Sequence, residues 1–205
     1  MNASQRTGRA RAKAARAAPA RRMPQALRSD AARNYQSVLV AAREVLGEFG
    51  AEASMEEIAA RAGVGVGTVY RRFASKDALI DELLRLALQD LLAAAGLALA
   101  RTDGHGLEEL LRAFGQSFAD HARYASLLLE RPTDLASSRR IVTAIGELTT
   151  RAAAAGAVRQ DITASDVLAL VWAMRGLVQA AGNSPPPDWQ RFLDIHLAGM
   201  RAAPP

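Results

Sequence analysis

The fold of this chain is decided by the stretch GVGVGTVYRRF, which runs from Gly63 to Phe73. The segment before it, SMEEIAARA, opens with a capping-box pattern, because the Ser54 side chain can bond the amide of Glu57 while the Glu57 side chain bonds back. A short helix is therefore predicted to begin there, and Gly63 is predicted to end it in a left-handed conformation. A turn of about three or four residues before a second helix is the spacing of a helix-turn-helix.

The second helix has two faces of different chemistry. At about 100° per residue, Val66, Val69 and Phe73 fall on one side, which predicts that this side packs on the helices behind it. The outward side carries small or hydrogen-bonding residues: Gly67, Thr68 and Arg71, flanked by Tyr70 and Arg72. Glycine permits close approach to a phosphate, hydroxyl groups bond phosphate oxygens, and arginine can bond guanine O6 and N7. This mixture predicts contact with the major groove of double-stranded DNA.

Each part of this stretch is also compatible with a plainer interpretation. The run Gly63-Val64-Gly65 resembles part of a dinucleotide fingerprint, but position 68 holds Thr where a third glycine belongs, and no strand precedes it. Adjacent arginines on a helix are most often solvated, and Tyr70 alone is compatible with a core position. The ordered combination therefore carries the prediction.

With these residues, the sequence resembles the tetracycline-repressor (TetR) family of one-component transcriptional regulators. The motifs that carry the resemblance lie between Asp30 and about Leu84: a leading helix as far as Leu46, the Gly50 break, the Ile58-Ala59 pair, the GxGTVY motif, Phe73, and the SKDAL motif of residues 75–79. The resemblance implies that DNA contacts come from Arg33, Gly67, Thr68, Tyr70, Arg71, Arg72 and Lys76. Position 72 is often His in relatives, so two roles for Arg72 are left open: contact with a base or contact with a phosphate alone.

Lys76 attracts attention because only it and Lys13 are lysines among the 26 basic residues. Ser75 is the predicted N-cap, which places Lys76 in a first helical turn, where a cation gains nothing from the helix dipole. An external anion such as a phosphate would explain it. The alternative is a solvated lysine that the helix start tolerates.

The basic charge is concentrated in the first 29 residues, which contain eight of the 26 basic residues and none of the 21 acidic ones. Such a segment cannot bury a core, and it is predicted to be a disordered tail. It could follow the phosphates of bound DNA. A passive solubilising tail, or a composition that only mimics a transit peptide, are the alternatives.

Composition excludes several classes of site. The chain has no cysteine, which rules out disulfides, thiolate catalysis and cysteine-based zinc sites. Its three histidines lack metal-ligand spacing, and no catalytic pair emerges, so no enzyme activity, metal or cofactor is predicted. No run of 18 or more apolar residues lacks charges, so we expect no membrane span. The resemblance implies a cytoplasmic bacterial protein.

The rest of the chain predicts an all-α fold of about nine helices. We expect a tail at 1–29, a three-helix helix-turn-helix domain at 30–75, a long connector helix at 76–100, and a helical bundle for ligand sensing and dimerisation at 101–205. A proline-rich linker is predicted at 184–188, before a last helix. Beyond residue 90, the match to the family rests on the number and order of helices.

Small residues recur at four-residue spacing near the C-terminus, at Ala169, Ala173, Gly176 and Ala180. The resemblance implies that the last two helices form the interface of a homodimer. A two-fold dimer places its reading helices about 34–36 Å apart on a pseudo-palindrome. The alternative is that these small residues pack within one chain.

The resemblance also implies a cavity for a small-molecule effector. Its candidate contacts are aromatic or polar residues on apolar helical faces: Phe114, Phe118, His121, Trp172 and Arg175. A satisfied core histidine, and an arginine paired with a carboxylate, are the plainer interpretations. The alternative functions are a non-specific nucleoid protein and a helical small-molecule-binding module without a regulatory role. An enzyme or a lipid-binding module is disfavoured, because the sequence offers no catalytic pair and no contiguous basic face on a helix.

Overall fold

The computed structural model describes residues 25–129, 131, 134–180 and 188–201. Within these residues the chain forms α-helices and two 3₁₀ turns, without a strand, which confirms the all-α prediction. The helices are α1 (Gln25–Phe49), α2 (Met55–Ala62), α3 (Val66–Arg72), α4 (Lys76–Ala100), α5 (Gly106–His121), α6 (Ala125–Leu129), α7 (Leu135–Ala154), α8 (Ala164–Ala180) and α9 (Trp189–Met200). The 3₁₀ turns are Gly50–Glu52 and Ala122–Tyr124.

The N-terminal unit is built from α1, α2, α3 and the first half of α4. Its core contains fully buried side chains from each helix, among them Leu46, Ile58, Val69 and Leu83. The apolar residues of α1 recur at helical spacing, so that one side of this helix covers both α2 and α4. The core holds α3 against the unit by its inner side only.

The turn between α2 and α3 has the predicted local chemistry. The Glu57 amide donates to Ser54 Oγ at 3.2 Å, and the Ser54 amide donates to the Glu57 carboxylate at 2.9 Å, which confirms the capping box. Gly63 adopts φ = 67°, a left-handed conformation that a side chain would disfavour. These contacts fix where α2 ends and therefore the direction in which α3 begins.

Helix α4 joins the two units of the fold, and it spans the residues predicted for the connector. Its first half contributes Leu79, Ile80 and Leu83 to the N-terminal core, and its second half contributes Leu91 and Ala95 to the C-terminal core. One continuous helix is thus part of both cores. A change in the packing of α4 in one unit would therefore change its packing in the other.

By length and composition, α4 is also apolar enough to cross a membrane, and it is the one such helix in the described part of the chain. This differs from the expectation drawn from the sequence, which treated interspersed charges as decisive. Its buried residues belong to the two protein cores, whereas Leu97 in its second half is 74% exposed.

In the C-terminal unit the second half of α4 packs on α5 and α7, and α5 in turn packs on α8 and α9. Its core includes the fully buried side chains of Leu111, Ile145, Met174 and Leu193. Helix α9 closes on α5 at Gly115, where an added Cβ would lie 2.2 Å from the Trp189 ring. The glycine therefore permits close packing that holds α9 on the bundle.

Several boundaries differ from the prediction. Helix α1 begins at Gln25, so the last five residues assigned to the basic tail are helical, and residues 1–24 lie outside the described part. Helix α7 begins at Leu135, two residues before the start at Ser137 that its sequence pattern predicts, and Asp134 is its N-cap. The proline-rich linker falls almost entirely on residues 181–187, which also lie outside the described residues.

Candidate nucleic-acid interface and internal cavity

The inner side of α3 is anchored by two of the three residues predicted to anchor it. Val69 and Phe73 are buried in the N-terminal core. The prediction for Val66 is wrong, since its side chain is 38% exposed. Val66 is the first residue of a helix of only seven, so it lies at the edge of the N-terminal core rather than within it.

The outward side of α3 is free among the described residues. Tyr70 is 46% exposed, Arg71 and Arg72 are exposed, and an added Cβ at Gly67 would meet no atom within 4 Å. Arg71 Nη2 donates to Thr68 Oγ1 at 2.9 Å, which joins two of the predicted contact residues along this side. The side therefore presents hydrogen-bonding groups beside a backbone that a phosphate can approach closely.

Arg72 is held at the edge of α3 by aromatic rings. Its guanidinium carbon lies 4.9 Å from the centroid of the Tyr35 ring and 6.0 Å from that of Phe73. The Tyr35 hydroxyl donates to Glu82, which also accepts two bonds from Arg85 at 2.6 and 2.7 Å. Arg85 holds the pKa of Glu82 below its usual value. Arg72 is thus positioned through α1 and α4 as well as by its own helix.

The other two predicted contact residues have partners within the chain. Arg33 is exposed on α1 and pairs with Asp30 one turn earlier. The Lys76 ammonium donates to the carbonyls of Ala51 and Ala53, the latter at 3.0 Å. The 3₁₀ turn therefore explains a lysine at this helix start without an external anion.

A cleft of about 630 Å³ separates the beginning of α1 from α3. Its walls include Asp30 and Tyr35 on one side and Thr68 and Arg71 on the other. The cleft therefore lies beside the outward side of α3, between that helix and the part of α1 that follows Asp30. The predicted basic tail lies almost entirely outside the described residues.

A cavity of about 430 Å³, open to solvent on one side, lies between α4, α5, α6, α7 and α8. The structure brings all five candidate effector contacts to its wall: Phe114, Phe118, His121, Trp172 and Arg175. Sequence reasoning missed the polar residues Ser117, Ser138 and Gln179, as well as the aliphatic residues from α4 and α7. A lone serine or glutamine on an amphipathic helix gives no signal that distinguishes a cavity from solvent.

Two polar side chains of the cavity have defined neighbours. His121 Nδ1 lies 2.5 Å from the carbonyl of Ser117, one helical turn earlier. The Arg175 guanidinium carbon lies 5.2 Å from the centroid of the Trp172 ring. Burial lowers the pKa of Arg175, and no charged neighbour contributes to the shift.

Residues 122–129 and Arg131, which we call the bridging segment, contact both the cavity and the N-terminal unit. Leu128 lines the cavity and also packs against the N-terminal core. Arg131 follows α6 and donates to Asp81 at 2.6 and 2.9 Å and to Asp77 at 3.1 Å, both at the beginning of α4. The segment is therefore attached to the N-terminal unit while forming one wall of the cavity.

Helices α8 and α9 leave a small-residue surface exposed. Ala169, Ala173, Gly176 and Ala180 lie on α8, and none of them is among the buried residues of the C-terminal core. Trp172 and Ile195 add large exposed apolar groups, at 63% and 58%. The described residues contain no group of three or more histidine, aspartate or glutamate residues that could hold a metal ion.

Two family models match this chain. The model of bacterial regulatory proteins of the tetR family matches residues 38–83, and the model of the C-terminal domain of SbtR-like transcriptional regulators matches residues 104–202. The first range contains α2, α3 and the anchoring part of α1. The second contains most of the cavity wall. A sequence comparison with curated proteins finds no match.

Solved structures agree with both family models. A TetR transcriptional regulator from Streptomyces coelicolor is 30% identical, over 82% of this chain and 99% of that chain, with a TM-score of 0.61. A TetR regulatory protein from Mycobacterium vanbaalenii is 29% identical, over 86% and 99% of the two chains, with a TM-score of 0.63. A gamma-butyrolactone receptor described as ArpA-like shares the fold at 23% identity, over 84% and 90%, with a TM-score of 0.62.

The chain belongs to the TetR family of transcriptional regulators. It is a DNA-binding regulator in which the helix-turn-helix unit precedes a helical regulatory unit. Members of this family bind DNA and small-molecule ligands and are usually dimers.

Proposed function

We propose that this protein is a ligand-responsive repressor that binds a pseudo-palindromic operator as a homodimer in the bacterial cytoplasm. The observation that carries the proposal is the pairing of an outward-facing α3 with an internal cavity, connected by α4 and the bridging segment. Neither feature alone distinguishes a regulator from a passive DNA-binding protein. Together they provide a reading surface, a place for a signal and a physical connection between the two.

On DNA, α3 lies in the major groove with its exposed side toward the bases. Arg71 is the base-reading residue, because its guanidinium is exposed and free to exchange its bond with Thr68 for a guanine edge. Thr68 and Tyr70 bond phosphates, and Gly67 lets a phosphate approach. The Arg72 guanidinium is held over the Tyr35 ring at the edge of the helix, and this position favours contact with a phosphate over contact with a base.

Further phosphate contacts come from residues outside α3. Arg33 on α1 and the basic residues of the tail contact the phosphate backbone. Lys76 retains one ammonium proton for a phosphate after its two bonds to carbonyls. Each of these contacts adds to the salt dependence of binding without reading sequence.

The homodimer forms through the exposed surface of α8 and α9. A contiguous set of small residues lets helices approach closely, and Trp172 and Ile195 supply apolar area that water would otherwise cover. A two-fold axis through this surface gives an isologous interface and two copies of α3 for two half-sites.

The effector acts from the cavity. One protein of the same fold is a gamma-butyrolactone receptor, which supports a small-molecule signal for this fold. A ligand between α5, α7 and α8 presses on the wall formed by the bridging segment and α4. Since both also belong to the N-terminal unit, the two copies of α3 change their separation. Operator affinity then falls because half-site spacing is fixed by the DNA.

The test is release of a selected operator. Duplexes bound by the protein are enriched from a random pool, and a metabolite library is then screened for release of the enriched site by fluorescence anisotropy. The proposal predicts that at least one small molecule releases the operator from the parent protein. It also predicts that replacing Phe118 at the cavity wall by Trp, which fills the cavity, weakens that release without weakening operator binding. If the operator stays bound in the presence of every compound of the library, the proposal is contradicted.

A further inference from the structure

We propose that the effector is an amphiphilic carboxylic acid, whose carboxylate is bound by Arg175 and whose apolar body fills the rest of the cavity. This inference rests on the proposed function, since it names the chemical class of the molecule that the same cavity receives.

Most of the cavity wall is hydrocarbon. Leu88 and Leu91 line it from α4, Ile141 and Ile145 from α7, and Phe114 from α5. A volume of about 430 Å³ lies within the usual range for sites that bury a small organic ligand. The apolar wall favours a ligand whose larger part is aliphatic or aromatic, because each buried apolar group gains from leaving water.

Arg175 supplies the only permanent charge in this wall, and no aspartate or glutamate is part of it among the described residues. Several other arginines among the described residues are paired with carboxylates. Arg61, Arg112 and Arg159 each lie within 4.0 Å of at least one carboxylate. Within the described residues Arg175 has the Trp172 ring as its neighbour and no carboxylate.

Among the described residues, no carboxylate pairs with the Arg175 guanidinium, so the cavity can supply it with the carboxylate of a ligand. A partly buried guanidinium loses hydration, and a carboxylate restores its hydrogen bonds through two parallel N–H···O contacts. The pKa of Arg175 is lowered by burial without any opposing contribution from an anion. The Trp172 ring fixes the guanidinium from one face and leaves its planar edge for the ligand.

The charge of the cavity favours a monoanion over a phosphate ester. A phosphate monoester carries about two negative charges near neutral pH, and one guanidinium would leave part of that charge buried without a partner. No lysine or second arginine lines the cavity among the described residues. His121 already has its Nδ1 against the Ser117 carbonyl, so its ring is partly committed to its own helix.

Binding is measured by calorimetry on the full chain without DNA. The probes are straight-chain acids from octanoate to palmitate and the corresponding phenylalkanoates, each compared with the primary alcohol and the primary amine of the same skeleton. We expect the best acid to bind at least about tenfold more tightly than its alcohol, the ratio that one charge-assisted contact supports. The amine should bind more weakly than the alcohol, because Arg175 repels it.

Three variants separate the role of Arg175 from a general effect on the fold. Arg175→Met removes the charge while keeping the length of the side chain, and it should abolish the preference for acid over alcohol while leaving the affinity for the alcohol unchanged. Arg175→Lys should retain part of the preference. Arg140→Met, at an exposed position of α7 outside the cavity wall, should behave as the parent.

Three results would overturn the inference: no acid of either series binds, the alcohols or amines bind as tightly as the acids, or the preference for acids survives Arg175→Met. If Arg175→Met fails to fold by circular dichroism, the comparison of acid with alcohol in the parent and in Arg175→Lys still decides. If a carboxylate of a second copy of the chain pairs with Arg175 instead, no acid of either series will bind. Because these titrations contain no DNA, acids that bind but leave the operator occupied would contradict the proposed function and not the ligand class.

Discussion

The ring of His121 lies edge-on against the ring of Tyr124, with centroids 5.7 Å apart and planes at 78°. His121 lines the cavity of the regulatory unit, whereas Tyr124 is only 2% exposed and belongs to the core of the DNA-binding unit. One aromatic contact therefore spans the two units. A ligand that displaces His121 acts on a side chain whose position is fixed by the helices behind α3.

The Tyr124 ring is expected to matter for stability and its hydroxyl is not. The hydroxyl is buried without a well-aligned hydrogen bond in the described part of the chain; burial raises its pKa to about 12, and the nearby Arg43 guanidinium opposes that rise. Tyr124→Phe should therefore change the free energy of unfolding by less than about 1 kcal/mol. Tyr124→Ala should lower it by about 3–5 kcal/mol, since it removes a buried ring. Chemical denaturation measures both, and a large loss in Tyr124→Phe would show that the hydroxyl is bonded.

Gly67 should show opposite effects on stability and on DNA binding. Its surroundings are open, so Gly67→Ala gains helix propensity without a clash and should stabilise the protein by up to about 1 kcal/mol. The same methyl group should weaken operator binding, because it stands where a phosphate approaches. Gly96→Ala is the matched control, at an exposed and equally open position of α4. It should stabilise the protein and leave DNA affinity unchanged.

Arg71 should read one base pair. Arg71→Ala removes an exposed side chain bonded only to Thr68, so the thermal midpoint should remain close to that of the parent. Affinity for the operator should fall by about 1–3 kcal/mol, and the preference for the natural base at one position of each half-site should disappear. Anisotropy titrations on single-base-pair operator variants test this, with exposed Arg140→Ala as the control. Unchanged selectivity would mean that another side of α3 faces the bases.

The dimer surface can be tested without disturbing the subunit. An added Cβ at Gly176 meets no atom within 4 Å, so Gly176→Arg fits the single chain but places a charge in the small-residue surface. Sedimentation at micromolar concentration should give the mass of a dimer for the parent and of a monomer for Gly176→Arg. Gly96→Arg introduces the same side chain at the open position of α4 and should remain dimeric. A monomeric parent would contradict the proposed interface.

Local features were predictable because their causes lie within a few residues. The capping box at Ser54 and the left-handed Gly63 follow from side chains three residues apart and from a missing Cβ. The cavity residues of α5 and α8 could be predicted for a similar reason. Aromatic or polar side chains on otherwise apolar helical faces are unusual enough to mark them as candidates. Whether they bind an effector stays a prediction.

Features that depend on which helices meet were not predictable. Lys76 bonds carbonyls of a 3₁₀ turn more than 20 residues earlier in the chain, and no spacing rule connects the two. Tyr124 follows α5 in the sequence but packs in the N-terminal core. Val66 was assigned to the buried side because helical periodicity ignores where a short helix ends. The contacts of Lys76 and Tyr124 are tertiary, and a single sequence does not encode them locally, whereas the error at Val66 comes from the end of a helix.

The most direct measurement is the ratio of two dissociation constants at physiological salt, one for the duplex enriched from a random pool and one for a scrambled duplex of the same composition. A dimeric regulator reading DNA through α3 predicts a pseudo-palindromic enriched site and a ratio of about a thousandfold or more in its favour. Equal affinity for the two duplexes, with no motif enriched from the pool, would contradict sequence-specific recognition by this helix.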